Sequence, residues 1–167
     1  MVGYTNAGKS TLLNTLSRAD VLAEDKPFST LDPVTRRLTL PDSRQVLLTD
    51  TVGFIHKLPP SIVEAFRATL EEIDEASLLL HVVDITHPDA AEQCQTVENI
   101  LVDLHLNTKP RLTVLNKVDL AAKSMEDLAT LTVDLKLPSD TIVSVSALKG
   151  WGLDNLLHKI TVYLNQE

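Results

Sequence analysis

An α/β domain, built on a mostly parallel six-stranded sheet with helices on both faces, is the fold this sequence predicts, and three observations predict it. Short continuous apolar runs at Leu78–Val83 and Leu112–Leu115 read as strands covered on both faces. Helical stretches with a single apolar face alternate with the strand candidates along most of the chain. The chain opens on Gly3-Tyr4-Thr5-Asn6-Ala7-Gly8-Lys9-Ser10, which matches G-x-x-x-x-G-K-[ST], a phosphate-binding loop that joins a strand to a helix.

Taken in order, the helix after the loop runs from Ser10 to about Arg18 with Leu12, Leu13 and Leu16 on one face, and 25–33 reads as loop. Arg36–Leu40 and Gln45–Thr49 form two strands joined by the turn Pro41-Asp42-Ser43. Ser61–Ile73 is helical, carrying Ile62, Val63, Phe66, Leu70 and Ile73 at spacings of three to four. After the strand 78–83, helix returns over Ala90–Leu104 through Cys94, Val97, Leu101 and Leu104. The strand 112–115, a helix around Ser124–Leu135, a strand over Thr141–Val145 and a last helix with Leu153, Leu156, Leu157, Ile160 and Leu164 inward complete the series. The strand leading into the phosphate loop should be central, between 45–49 and 78–83, yet only Met1 and Val2 stand for it. The first strand is thus expected to be largely missing. The expectation is a fragment of a longer protein, weakly stable alone, because a central strand pairs backbone groups on both its neighbours.

At 167 residues the chain fits one domain, 1–167, with an ordinary balance of 44% hydrophobic and 23% charged residues. A net charge of −8 argues against a general grip on nucleic acid, which needs clustered Lys and Arg, although it leaves room for a local basic patch. The single cysteine, Cys94, cannot form an internal disulfide and reads as a small buried hydrophobe. No apolar run approaches the roughly 18 residues of a membrane span, and the expectation is a cytoplasmic protein. The five histidines, His56, His81, His87, His105 and His158, show no metal-ligand spacing.

The chemistry is carried by motifs at the carboxyl ends of strands, where open α/β sheets bind ligands. In the opening loop, two glycines let backbone N–H groups turn inward around phosphate oxygens. Lys9 brings a point charge to the outer phosphates, and the Ser10 hydroxyl is placed to ligate Mg²⁺. Asp50-Thr51-Val52-Gly53 follows the strand 45–49, so that Asp50 can hold Mg²⁺ through a water and the Gly53 amide can approach a γ-phosphate. A D-x-x-G turn also occurs after strands with no such role. Asn116-Lys117-Val118-Asp119 follows the strand 112–115. The Asp119 carboxylate can accept from N1–H and the 2-amino group of guanine, donors that adenine lacks. A site built to pair such groups discriminates by roughly 10⁴–10⁵. The Lys117 stem can lie over the base, Asn116 can tie adjacent loops together, and Ser146-Ala147-Leu148 can offer a backbone amide to guanine O6. The alternative for Asn116–Asp119 is a solvated turn.

The chain resembles translation-factor-type GTPase domains, the G-domain branch of the P-loop NTPases, and specifically the HflX family of ribosome-associated GTPases. The closer resemblance rests on the opening loop continued through Thr11-Leu12, on Phe28-Ser29-Thr30-Leu31-Asp32-Pro33, on Asp50-Thr51-Val52-Gly53-Phe54-Ile55 and on Ala65-Phe66-Arg67-Ala68-Thr69-Leu70-Glu71-Glu72. It covers nearly the whole chain, while the N-terminal domains that family members carry have no counterpart here. The resemblance implies that Gly3 to Thr11, Phe28, Thr30, Asp50 to Gly53, Asn116, Lys117, Asp119 and Ser146 to Leu148 bind the nucleotide. It makes Thr30 a switch threonine that joins Ser10 and Asp50 at Mg²⁺ when the γ-phosphate is present; the alternative is a threonine in a flexible loop before Pro33. Lys9, Thr30 and Gly53 are the residues it implies in catalysis.

Phe54 departs from the small regulatory GTPases, which place a water-orienting glutamine after the D-x-x-G glycine. Slow intrinsic hydrolysis accelerated by a partner is therefore expected. Asn6 resembles the position in GTPases where potassium bridges the phosphates; a plain turn residue is the alternative. Arg67, with Glu64 and Glu71 at −3 and +4 on its helix, reads as a partner of exposed helix pairs; a switch or partner contact is the alternative. Gly150-Trp151-Gly152 reads as the turn into the last helix, with Trp151 near the base-binding loop. The implied partners are GTP and GDP and the large ribosomal subunit, with subunit splitting or rescue as the role, and no residue demonstrates ribosome contact. Two other readings stay open: a nucleotide-dependent binding module with negligible turnover alone, and a P-loop kinase or ATPase, which Asn116–Asp119 opposes.

Overall fold

Strand β4 (Leu79–Asp84) is buried along its first five residues, because β-branched and aliphatic side chains on both of its faces are covered. It belongs to a computed structural model that describes residues 1–18, 34–51, 53, 73–124 and 139–165. Beside β4 lie β1 (Val2–Gly3), β5 (Arg111–Asn116) and β6 (Ile142–Ser144), in the order β1-β4-β5-β6, all parallel. The register places Val2 against His81, Asp84 against Asn116, and Leu115 against Ser144. The strand ends that face the motifs therefore finish side by side.

Alternate positions along these strands face two different cores. Leu80, Val82, Leu112, Val114 and Val143 meet Leu12, Leu13 and Leu16 of helix α1 (Lys9–Arg18) and Leu156 and Ile160 of helix α3 (Leu153–Leu164). On the other face, Val2 and Leu79 pack with Val97 and Leu101 of helix α2 (Ala90–Asp103), and Val83 and Leu115 with Cys94. Helices thus cover both faces, as the alternating pattern predicts. Burial pushes the Cys94 thiol up to about 11, in keeping with an inert core residue. Among the described residues no helix is long and apolar enough to cross a membrane.

The six strands do not form one sheet. Strands β2 (Val34–Thr39) and β3 (Gln45–Asp50) make a separate antiparallel ribbon, with Val34 opposite Asp50 and Thr39 opposite Gln45. The two residues of β1 pair with β4, and Met1 makes the contact with the ribbon: its amino group donates to the Thr49 carbonyl and its carbonyl accepts from Thr51 Oγ1 at 2.6 Å. A cleft of about 510 Å³ opens between β3 and β4 beneath Met1, lined by Val46 and Leu48 on one side and Leu79 and Leu80 on the other.

Element bounds move by one or two residues from those expected: β2 begins at Val34, β5 reaches Asn116, β6 ends at Ser144 and α1 begins at Lys9. The hairpin turn is tied to the far end of α3, since Arg44 donates to the carbonyls of Leu164 (3.2 Å) and Thr161 (3.3 Å) and pairs with Asp42 at 2.7 Å. A cation at a helix C-terminus also complements the carbonyl dipoles there. The helix expected over 61–73 lies outside the described residues except at its end, where 73–75 is helical; the helix expected over 124–135 lies outside them from 125 onward.

Beneath β4 and β5, His81 Nδ1 lies 3.3 Å from Glu98 Oε1, and Arg111 Nη2 lies 3.0 Å from Glu98 Oε2. Contact with His81 lowers the Glu98 carboxyl more than burial raises it, and the Arg111 charge adds to the lowering. A carboxylate depressed in the folded state contributes stability above its unfolded pKa that is lost as pH falls through the folded one. Glu98→Gln should therefore flatten the loss of stability below about pH 4, read by urea denaturation across a pH series. Leu112, fully buried between the two helical layers, tests the core itself. Leu112→Ala should lower unfolding free energy by about 2–5 kcal/mol, and a loss under 1 kcal/mol would mean the site is not packed as described.

Candidate nucleotide-binding site

The phosphate loop is shaped by close backbone approach. A side chain on Gly3 would stand 2.3 Å from the Val82 carbonyl oxygen, so only glycine lets β1 lie against β4 here. Gly8 takes φ 93, and a Cβ there would stand 2.3 Å from Asn116 Nδ2. Between them, the Ala7 amide bonds back to the Tyr4 carbonyl (3.3 Å) and Asn6 adopts the left-handed conformation at φ 64. Helix α1 begins at Lys9 with no acidic residue in its first turn, leaving its positive end for an anion.

Lys9 is buried at 7% exposure, with Nζ 3.3 Å from the carbonyls of Gly3 and Tyr4. Burial lowers its pKa, and the Asp50 carboxylate works in the opposite direction. A desolvated ammonium held by neutral carbonyls is a poorly compensated cation, and an anionic phosphate is the group that compensates it. Gly53 lies against the same loop: a Cβ there would stand 2.9 Å from Thr5 Cα and 3.0 Å from Lys9 Nζ. The fold thus brings Lys9 and Gly53 together.

Ser10 Oγ donates to Asp50 Oδ2 at 2.5 Å, joining the helix to the end of β3. The other oxygen, Asp50 Oδ1, is buried and accepts no hydrogen bond among the described residues. A hydroxyl and a carboxylate converging with one oxygen lone pair unused fit a hard cation such as Mg²⁺, which binds through few protein oxygens plus phosphate. Among the described residues no cluster of three His, Cys, Asp or Glu offers a self-sufficient metal cage. Thr51, by contrast, turns away, its buried hydroxyl bonded to Met1.

On the base side, Asn116 ends β5 and is 2% exposed. Its Nδ2 donates to the Ala7 carbonyl (2.9 Å) and its Oδ1 accepts from the Ala147 amide (3.0 Å). One side chain therefore holds the phosphate loop and the 146–148 loop together. Thr15 of α1 adds a second tie, donating to the Ala147 carbonyl at 2.8 Å. Ser146 is fully buried, with its amide on the Trp151 carbonyl (3.1 Å) and its Oγ accepting from the Lys149 amide (3.0 Å). Gly152 caps the start of α3 at φ 71, where a Cβ would stand 2.2 Å from the Ser144 carbonyl oxygen. Lys117 is left-handed at φ 66, and Asp119 sits half-buried in the short 3₁₀ turn Val118–Leu120.

The Leu148 side chain is exposed and Thr11 is exposed on α1, so backbone groups are what these positions can offer a ligand. Phe28, Thr30, Val52, Phe54 and Arg67 lie outside the described residues. Two contributors escaped the sequence reading. Thr15 is legible only through its tertiary bond. Asp84, at the end of β4 and paired with Lys117 at 2.6 Å, had a signal: an acid closing a buried and mostly apolar strand, followed by Thr86. Asn116→Ala would strand the buried Ala7 carbonyl and Ala147 amide, at about 1–3 kcal/mol each. Its expected result is a nucleotide affinity lower by about 10²-fold or more, measured by fluorescent-nucleotide titration; unchanged affinity would contradict the tie.

The comparisons with known proteins agree with this geometry. The family described as 50S ribosome-binding GTPase matches residues 1–117. GTPase HflX of Caldanaerobacter subterraneus subsp. tengcongensis is 50% identical over all of this chain, which covers 36% of that relative. The chain spans between 34% and 38% of the length of three such curated relatives. Among solved structures, a variant of SsGBP superposes with a TM-score of 0.73 at 32% identity, over 99% of this chain and 55% of that one. Era in complex with MgGDPNP and a segment of 16S ribosomal RNA gives 0.69 at 30%, over 97% and 54%. With its phosphate loop and N-K-x-D segment at one edge of a parallel sheet, and with Asp50 and Gly53 brought against that loop from the neighbouring ribbon, the chain belongs to the 50S ribosome-binding GTPases, and within them to the HflX family.

Proposed function

We propose that this domain binds GTP with Mg²⁺ and hydrolyses it to GDP and phosphate, slowly alone and faster on a ribosomal partner. The observation that carries the reading is the Asn116 side chain, which joins the phosphate loop to the 146–148 loop and so makes one site of two half-sites. The relatives' names as GTPases, the family's description as 50S-binding and the MgGDPNP in the Era complex support it.

In this reading, Lys9, the loop amides and the start of α1 receive the β- and γ-phosphates, and the burial of Lys9 strengthens its attraction for them. Ser10 and Asp50 would hold Mg²⁺, joined by Thr30, and the ion neutralises phosphate charge when bound. The Gly53 amide, beside Thr5 and Lys9, would approach the γ-phosphate. Asp119 accepts from guanine, Lys117 lies along the base, and the Leu148 amide would meet O6, since those of Ser146 and Ala147 are bonded to Trp151 and Asn116. Potassium beside Asn6 would add positive charge at the phosphates. The segments 25–35 and 50–60 report the nucleotide to the large subunit, with subunit splitting or rescue as the outcome.

Two measurements test this. Labelled GTP should be displaced by GDP and withstand a 100-fold excess of ATP, since discrimination by paired guanine donors reaches roughly 10⁴–10⁵; ATP competing equally removes the guanine assignment. Single-turnover hydrolysis should rise on adding large subunits, and should fall by about 10²-fold or more in Lys9→Ala. No turnover with or without subunits would leave a nucleotide-dependent binding module. Equal rates in sodium and potassium would remove the ion beside Asn6.

A further inference from the structure

We propose that Asp84 is a positioning residue for guanine-nucleotide binding, acting by holding the Lys117 side chain in its base-facing place. The inference rests on the guanine-nucleotide reading and deepens it. Asp84 Oδ2 accepts from Lys117 Nζ at 2.6 Å, across the gap between the ends of β4 and β5. The pairing is prepared by register, because Asp84 and Asn116 are Cα partners and the Ile85 amide bonds to the Asn116 carbonyl at 3.3 Å. Lys117 thus follows directly after the residue that Asp84 abuts.

Asp84 is itself held. Its Oδ1 accepts from the Thr86 amide (2.9 Å) and from Thr86 Oγ1 (2.6 Å), a turn in which the side chain mimics a backbone carbonyl. One carboxylate oxygen is spent on local structure and the other is aimed at Lys117. Its side chain is only 14% exposed, against 32% for Lys117, so the pair is shielded more than a surface ion pair. Burial alone would raise the Asp84 carboxyl, but the hydrogen bonds from Lys117 and Thr86 together hold it below the usual carboxylate range. It is therefore ionised wherever a nucleotide is bound near neutral pH.

The consequence for binding is entropic as well as electrostatic. A lysine carries a long flexible stem, and ordering it when the ligand arrives costs affinity. Lys117 also sits at φ 66, left-handed, at the start of the short turn Val118–Leu120. With the ammonium tethered to Asp84, the aliphatic stem is ordered before the base arrives. Asp84 need not touch the nucleotide to do this.

A double-mutant cycle on GDP affinity and dissociation rate is the test, in the chain as it stands. Asp84→Asn should weaken GDP binding about tenfold, mainly through faster dissociation, and should have no further effect in a Lys117→Ala background. Asp84→Ser guards against a folding artefact, because serine can keep the turn with Thr86 but cannot reach Lys117. It should weaken binding like Asp84→Asn while the melting temperature of the nucleotide-free protein stays at its original value. Equal losses from Asp84→Asn with and without Lys117, or unchanged GDP affinity in both Asp84 variants, would overturn the inference. If the unaltered chain fails to prefer GDP over ADP, the guanine reading fails first, and the two failures are distinguishable.

Discussion

The amide side chain of Asn116 is the constraint on which the rest of the site depends. It is buried, and it satisfies a carbonyl of one loop and an amide of another, neither of which has water within reach. An unpaired buried amide or carbonyl costs more than a typical hydrogen bond contributes, so the two loops cannot separate cheaply. Gly8 belongs to the same constraint. Its missing Cβ is the space that Asn116 Nδ2 fills. The last residue of β5 thereby transmits the geometry of the sheet to both halves of the site.

That geometry is in turn set by how the sheet is covered. Alternate side chains of β4 and β5 feed two different apolar layers, which leaves the strands no freedom to slip by one residue. The parallel register then delivers Asp84, Asn116 and the 145–148 segment to one edge together. Charge follows the same logic. Lys9 is drawn inside by the loop that ends in its own helix, and its desolvation is tolerable because Asp50 lies near and an anion completes the balance. A chain of net charge −8 can hold a polyanion only by concentrating positive potential in this way.

The ribbon of β2 and β3 joins the site from outside the main sheet. It carries Asp50 to Ser10, and through Thr51 and Thr49 it grips Met1. At its other end Arg44 fastens it to the carboxyl end of α3. The ribbon is thus positioned by a few polar contacts and one apolar face rather than by a continuous ladder. Asp50 is poised accordingly, with one oxygen on Ser10 and the other without a partner among the described residues.

Much of this was legible from composition of local segments. Continuous apolar runs announced β4 and β5, helical periodicity announced α1, α2 and α3, and the spacing of G-x-x-x-x-G-K-S, D-x-x-G and N-K-x-D announced a guanine-nucleotide site. These are local signals, because period, turn chemistry and loop motifs are written in neighbouring residues. What the sequence could not express was pairing at a distance. That β2 and β3 pair only with each other, while β1 pairs with β4, is a matter of which strands meet. The roles of Thr15 and Asp84 follow from contacts across 132 and 33 residues. Such contacts depend on register and burial, which exist only once the strands have chosen their neighbours, and so the motifs could be read from the chain while the interactions that hold them together could be read only from the fold.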